Sequence, residues 1–127
     1  MNPRQYTKTV VVLQPQTLTQ DAQSAVQFNN GWVGVRLDCE VTALSGTSPT
    51  ATFAIEIYDE AAGTWVTEVT STAVSAPGHV VLQVDPRVAS VANEAVQRIL
   101  PRRWRATVTL GGTNPAVDCS IAATYAP

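Results

Sequence analysis

In the stretch Trp32-Val33-Gly34-Val35-Arg36-Leu37-Asp38-Cys39-Glu40-Val41, one parity carries Val33, Val35, Leu37, Cys39 and Val41. The other carries Trp32, Gly34, Arg36, Asp38 and Glu40. A period of two is the signature of a β-strand, whose successive side chains point to opposite faces. The first face is built to be buried and the second to meet water. The same alternation recurs outward along the chain. Phe53, Ile55 and Ile57 alternate with Thr52, Ala54 and Glu56, and Val80, Leu82 and Val84 flank Val81 and Gln83. Trp104, Ala106, Val108 and Leu110 alternate with Arg103, Arg105, Thr107 and Thr109, while Val117, Cys119, Ile121 and Ala123 share a face further on. With residues 7–13, 22–28 and 64–70, the pattern predicts about eight strands.

The segments between them carry turn chemistry. Asn29-Asn30-Gly31 can reach positive φ and reads as a tight hairpin joining residues 22–28 to the Trp32 strand. Asp59-Glu60-Ala61-Ala62-Gly63 reads as a longer hairpin loop, and Pro77-Gly78 as a further turn. Short strands punctuated this way predict an all-β, antiparallel β-sandwich, immunoglobulin-like or jelly-roll-like. At 127 residues it is a single domain over 1–127, large enough to bury one two-layer core. Residues 1–6 read as a flexible or partner-contacting arm.

One segment departs from the alternation. Across residues 85–100, Val88, Ala92, Ala95 and Ile99 recur at helical spacing, with Asp85 placed as N-cap, Pro86 in the first turn and Pro101 beyond the end. It reads equally as a short helix near 86–99 or as an irregular crossover, since valine and asparagine are indifferent helix formers. Two other stretches resemble each other. Gly46-Thr47-Ser48-Pro49 and Gly112-Thr113-Asn114-Pro115 each lie between strands, and they read as two ordinary hairpins with similar turn chemistry ahead of a true duplication, in either case at the same end of the sandwich.

Composition narrows the function classes. Charged residues are 14% of the chain, against about a quarter in an average soluble domain, so part of the surface is expected to lie against a partner. The net charge is −2, with seven arginines and one lysine, a poor basis for neutralising phosphates; no nucleic-acid partner is expected. No apolar run approaches the roughly 18 residues of a membrane span, so no membrane partner is expected. The opening Met1-Asn2-Pro3-Arg4-Gln5-Tyr6 lacks the apolar run of a secretory signal, and folding in the cytoplasm is expected.

Residues 41–57 with Gly46-Thr47-Ser48-Pro49, then Gly63-Thr64-Trp65, Leu100-Pro101-Arg102-Arg103-Trp104-Arg105 and Gly111-Gly112-Thr113-Asn114-Pro115, resemble a family of small virion proteins. These are encoded near the head genes of tailed bacteriophages of actinobacteria. The resemblance spans roughly residues 30–125 and rests on turn and strand chemistry. It implies a structural component of the phage particle, a capsid decoration or minor head protein. The implied partners are the major capsid protein or other virion proteins, with homo-oligomers on the particle and the virion as location.

The candidate sites are weighed on chemistry. His79 is the single histidine, and no serine or cysteine sits in a nucleophile motif, so no enzyme, cofactor or metal is expected. Asp59, Glu60 and Glu68 read as acids around a solvated loop rather than a glycosidase pair or calcium site. Arg102, Arg103 and Arg105 can pair across the sheet with acids or grip a protein partner. Trp104 falls on the apolar parity and belongs to the core. Trp32 is out of phase with its strand's apolar face and Trp65 stands at a strand start where the phase is open, which makes each an interface anchor, a sugar-stacking platform or a partly buried corner residue. Arg4 and Tyr6 join Trp32, Trp65, Arg102, Arg103 and Arg105 as protein-interface candidates. Cys39 and Cys119 point inward on strands read as well separated; they can meet as an immunoglobulin-type bridge, but a reducing cytoplasm favours two buried thiols. The alternative function is a carbohydrate- or receptor-binding module of a phage tail, which requires Trp32 and Trp65 to be exposed together.

Overall fold

The computed structural model describes residues 7–127; Arg4 and Tyr6 lie outside the described residues. The described residues are all-β, with 69% of them in strands and none in a helix. The elements are β1 (Lys8–Leu18), β2 (Ala22–Gln23), β3 (Gln27–Phe28), β4 (Gly34–Asp59), β5 (Thr64–Thr70), β6 (Gly78–Val84), β7 (Ala95–Val96) and β8 (Arg103–Ala126). All pair antiparallel except β7, which runs parallel to β6.

Two of these strands make the sandwich. β4 and β8 pair with each other from Gly34↔Ala126 to Ile57↔Trp104. At about 3.3 Å per residue, the 24 residues of β8 would extend roughly 80 Å if straight. They do not stay straight. Trp104 Nε1 donates to the Tyr125 hydroxyl at 3.2 Å, although 21 residues of the same strand separate them. The ribbon therefore folds over on itself. Residues 34–45 of β4 and 116–126 of β8 form one layer with β1, β6 and β7, and residues 50–59 of β4 and 103–111 of β8 form the other with β2, β3 and β5.

The fold-over lies where the two similar stretches meet. Gly46-Thr47-Ser48 and Gly112-Thr113-Asn114 are not turns of two hairpins. They face each other across the ribbon, with Thr47 paired to Thr113. Gly46 (φ 115°), Ser48 (φ 50°), Gly112 (φ 96°) and Asn114 (φ 49°) all take positive φ, the conformation glycine and asparagine adopt at least cost. The arrangement is nearly two-fold symmetric. A Cβ on Gly46 would lie 2.6 Å from the Asn114 carbonyl oxygen, and one on Gly112 would lie 2.5 Å from that of Ser48. The repeated sequence is thus one corner seen from both strands. It also shifts the inward parity of β8, from even positions (Trp104, Ala106, Val108) to odd ones (Val117, Cys119, Ile121, Ala123, Tyr125).

The inward faces of both layers make a single core around Trp104, Phe53, Leu37, Ile55, Leu82 and Ile121, all nearly inaccessible to water. Its open end, opposite the corner, is closed by aromatic rings. Trp32 stacks on Tyr125 (centroids 6.0 Å, 29°), and Trp104 meets Tyr125 edge-on (6.0 Å, 71°).

One local expectation is corrected, and of the two readings of residues 86–99 the irregular crossover is the one that forms. Asn29-Asn30-Gly31 does not close a hairpin, because β3 pairs with β8 rather than with β4. The Asn29 side chain instead accepts from Trp32 N (2.8 Å) and donates to the carbonyls of Trp32 and Leu100, fixing a crossing between layers. The helix near 86–99 does not form. Asp85 does accept from Arg87 N (2.8 Å), as a cap would, but the chain then turns back at Asn93 (φ 63°) in a tight Val91–Ala95 bridge. Gln83 N donates to Glu94 O and Asp85 N to Val96 O, so the β6 edge takes the carbonyls a helix would have used. The helical stripe does not act as one buried face: Val88 and Ala95 are half-buried, Ala92 is exposed and Ile99 is 71% exposed, while Leu100, outside the stripe, is buried.

Two stability predictions follow from this geometry. Gly112→Ala is expected to cost about 1–3 kcal/mol for strained φ plus the clash with Ser48 O, and so to exceed Gly31→Ala, whose added Cβ meets nothing within 4 Å. Tyr125→Phe leaves the buried Trp104 N–H without its acceptor and is expected to cost about 1–3 kcal/mol. Urea denaturation of the four proteins, wild type included, checks both.

Candidate functional site

The outer face of the second layer gathers three of the sequence-chosen residues. Outward parity in this half of β4 falls on Glu56 and Tyr58, and in β8 on Arg103 and Arg105; Glu56 lies in register with Arg105, and Tyr58 with Trp65 of β5. The hairpin that sets this register is the one expected from sequence. Asp59 Oδ1 accepts from the backbone N–H groups of Ala61 and Ala62 at 3.0 Å, and Gly63 closes the loop at φ 70°.

The side chains form a layered ladder. The Arg105 guanidinium lies 4.2 Å above the centroid of Trp65, donates from Nε to Glu56 Oε1 at 2.7 Å and from Nη1 to Gln23 Oε1 at 3.0 Å. Trp65 meets Tyr58 edge-on at 5.1 Å, and the Arg103 guanidinium lies 5.1 Å from the Tyr58 centroid. Arg103 Nε is also 3.2 Å from Glu60 Oε2, as an ion pair without an aligned hydrogen bond. Cation–π contacts of this kind contribute about 0.5–1 kcal/mol where exposed and more where water is excluded. Arg105 and Glu56 are mostly covered (side chains 17% and 20% exposed), whereas Arg103 and Glu60 are open at 42% and 58%. Arg105 therefore orders the face and Arg103 presents it.

The other candidates lie elsewhere. Arg102 is exposed at the bend before β8. Trp32 is half-buried against Tyr125 at the open end of the sandwich and does not share a face with Trp65. Glu56, Tyr58 and Gln23 were not singled out from sequence; the signal for Glu56 and Tyr58 was their outward parity beside Trp65. Phe28 (54% exposed) and Ile99 (71%) are apolar groups in water that alternation did not mark as exposed.

Glu68 and Asp21 also have partners. Glu68 accepts from Arg98 Nη1 at 2.9 Å, and Asp21 Oδ1 accepts from Leu110 N at 2.8 Å. A groove of about 460 Å³ beside Arg105 contains both Asp21 and Glu56, each engaged in these internal contacts. Among the described residues no group of three or more His, Cys, Asp or Glu side chains is disposed to hold a metal ion.

Cys39 and Cys119 are free and buried. They sit on adjacent strands, not well-separated ones: Cys39 pairs with Ile121 and Val41 with Cys119. Burial, with the nearby Asp38 carboxylate and Cys119, pushes the Cys39 thiol up to about 12. Such a thiol is a packing group rather than a nucleophile.

On the first layer's outer face, His79 is not the lone histidine it looks in sequence. Its Nε2 is 2.8 Å from Asp38 Oδ1 and its Nδ1 is 3.0 Å from Glu40 Oε2, and Arg36 also binds Asp38. Both ring nitrogens can donate to carboxylates only in the imidazolium form. The hydrogen bond to Asp38 first, then that to Glu40, raises the His79 pKa above 6.5.

Against known proteins, the chain matches no family model and no curated sequence.

A raised folded-state pKa stabilises the protein fully below the unfolded value and loses that contribution as pH rises through the folded value. His79→Gln is therefore expected to destabilise the protein at about pH 6 and to have progressively less effect toward pH 9. Urea titrations of both proteins across that window measure the difference.

Proposed function

We propose that this chain is a non-enzymatic structural component of a bacteriophage particle, a capsid decoration or minor head protein bound to the capsid lattice by protein contacts. The family resemblance of residues 41–57 and 100–115 suggests the setting. The observation that carries a protein-contact role is the Tyr58–Trp65–Arg103–Arg105 face. Tryptophan, tyrosine and arginine are the residues that dominate protein interfaces, because each combines a large contact area with a polar handle. Here they are held in place by internal contacts, so a partner would order few side chains on binding. The homo-oligomer and the virion location belong to the same proposal.

A glycan-binding tail module is less well served. Trp32 and Trp65 are apart, and one face of the Trp65 ring is covered by Arg105.

Mass spectrometry of purified particles is expected to find the chain, and particles that lack it sink the proposal. On such particles Arg103→Ala is expected to weaken attachment about tenfold, equivalent to about 1.4 kcal/mol. Binding to a glycan array that is lost in Trp65→Ala would favour the tail module instead.

A further inference from the structure

At the edges of the first layer, β1 is broken by register shifts after Val11 and after Leu13, whereas β6 runs without interruption. β6 pairs with β4 along its whole length, but on its other side β7 covers only Gln83 and Val84. There Gln83 N donates to Glu94 O at 2.8 Å, so the backbone groups of Gln83 point away from β4. Every second residue of a strand shares that direction, which turns the N–H and C=O groups of His79 and Val81 the same way. Among the described residues no strand or loop backbone pairs with these four groups.

The loop after β6 leaves this edge open because it is held elsewhere. It turns at Asn93 (φ 63°), and Asn93 Nδ2 donates to Thr70 O of β5 at 3.0 Å. A groove of about 590 Å³ remains beside β6, lined by His79, Val80 and Val81 of the strand and by Val88, Val91 and Glu94 of the loop. Val80 is only half-buried although it packs against the core, and Val91 is 48% exposed. Apolar surface therefore meets water beside unpaired backbone groups. The charge around the groove is lopsided. Glu94 is exposed and joins no ion pair among the described residues. On the outer face next to His79, the side chains of Glu40 and Asp38 are 48% and 26% exposed, with Arg36 and His79 itself as their counter-charges.

We propose that this groove binds an extended basic peptide segment of a partner protein, which adds a strand to β6 in line with β7. Running antiparallel, two alternate residues of the peptide exchange N–H···O=C bonds with Val81 and His79 and satisfy all of their outward groups. The residue between them points inward beside Val80, where a valine or isoleucine covers the apolar surface that water now meets. Its two bonded neighbours share the outer face with His79 and Val81. A lysine or arginine there is drawn to Glu40, and one nearer the peptide's N-terminus meets Glu94. The same acids repel an acidic strand. They also repel β6 of a second copy, which would bring its own Glu40 and Glu94 to the contact. The peptide site belongs to the isolated chain and does not rest on the virion reading.

Fluorescence anisotropy of the full chain with labelled, end-blocked peptides tests this. Arg-Val-Thr-Val-Lys-Val is expected to bind saturably below about 1 mM, and Glu-Val-Thr-Val-Glu-Val at least about tenfold more weakly. N-methylation of the threonine and lysine removes the N–H groups aimed at β6 and is expected to abolish binding. The same change on the two central valines, whose N–H groups face away, is expected to leave it intact. Glu94→Lys is expected to weaken the basic peptide about tenfold without moving the thermal midpoint of the chain by more than a few degrees. A basic peptide that does not saturate overturns the proposal. So does one bound equally well in its acidic form, after methylation of either set, or by the Glu94→Lys protein. A chain that dimerises in sedimentation equilibrium and is dissociated by the peptide has given this edge to a second copy, which overturns it as well. Loss of the chain from purified particles would bear on the virion reading alone.

Discussion

A two-stranded ribbon as long as the one made by β4 and β8 has one apolar face and no way to cover it while flat. Left extended, its inward valines, isoleucines and Trp104 would face water, at about 25 cal/mol for each Å² of apolar surface. Folding the ribbon in half lets its two halves cover each other. That requires both strands to reverse direction at the same height without giving up their pairing. Gly46 and Gly112 make it possible, because each lies where a Cβ would strike a carbonyl oxygen of the opposite strand. The core, the aromatic closure at the open end and the two outer faces all depend on that shared corner.

Folding one sheet also decides what each surface carries. Outward positions of the first layer bring His79 between Asp38 and Glu40, an arrangement governed by protonation. Outward positions of the second layer bring two arginines over two aromatic rings, an arrangement governed by polarisability and shape. On the β4 side, the loop after β6 lies against β5. On the β8 side, no strand among the described residues pairs with the outer side of β1. The Tyr58–Trp65 face and β1 belong to different layers.

The strands themselves were legible. Residues 64–70 were read with the bounds they have in β5, and Val35, Leu37, Cys39 and Val41 all point inward as their parity requires. The pairing of Arg105 with an acid across the sheet was also anticipated, since an arginine on the polar parity of a strand finds its counter-ion on the next one, whereas Arg103 meets Glu60 in the loop after β4. The misreadings share a cause. Gly-Thr-Ser-Pro, Gly-Thr-Asn-Pro and Asn-Asn-Gly state that the backbone bends, and the same residues serve a hairpin, a corner or a crossing between layers. The 85–100 stripe has helical spacing, but the free edge of β6 offered its backbone better partners than a helix facing water.

Local chemistry alone settled the all-β class, the inward parity of Val35–Val41, Phe53–Ile55, Leu82–Val84, Trp104–Val108 and Val117–Ala123, the Asp59–Gly63 hairpin and the burial of Trp104. Parity and turn preference act over a few residues, so they can be read without knowing what lies opposite. Which strands pair is a different kind of question. That Thr47 faces Thr113, that Trp104 reaches Tyr125, and that Trp65 gathers Tyr58 and Arg105 while Trp32 goes elsewhere all depend on segments distant in sequence. Those contacts exist only once the apolar faces have been brought together, because burial of the whole face, rather than any residue's own preference, selects the register.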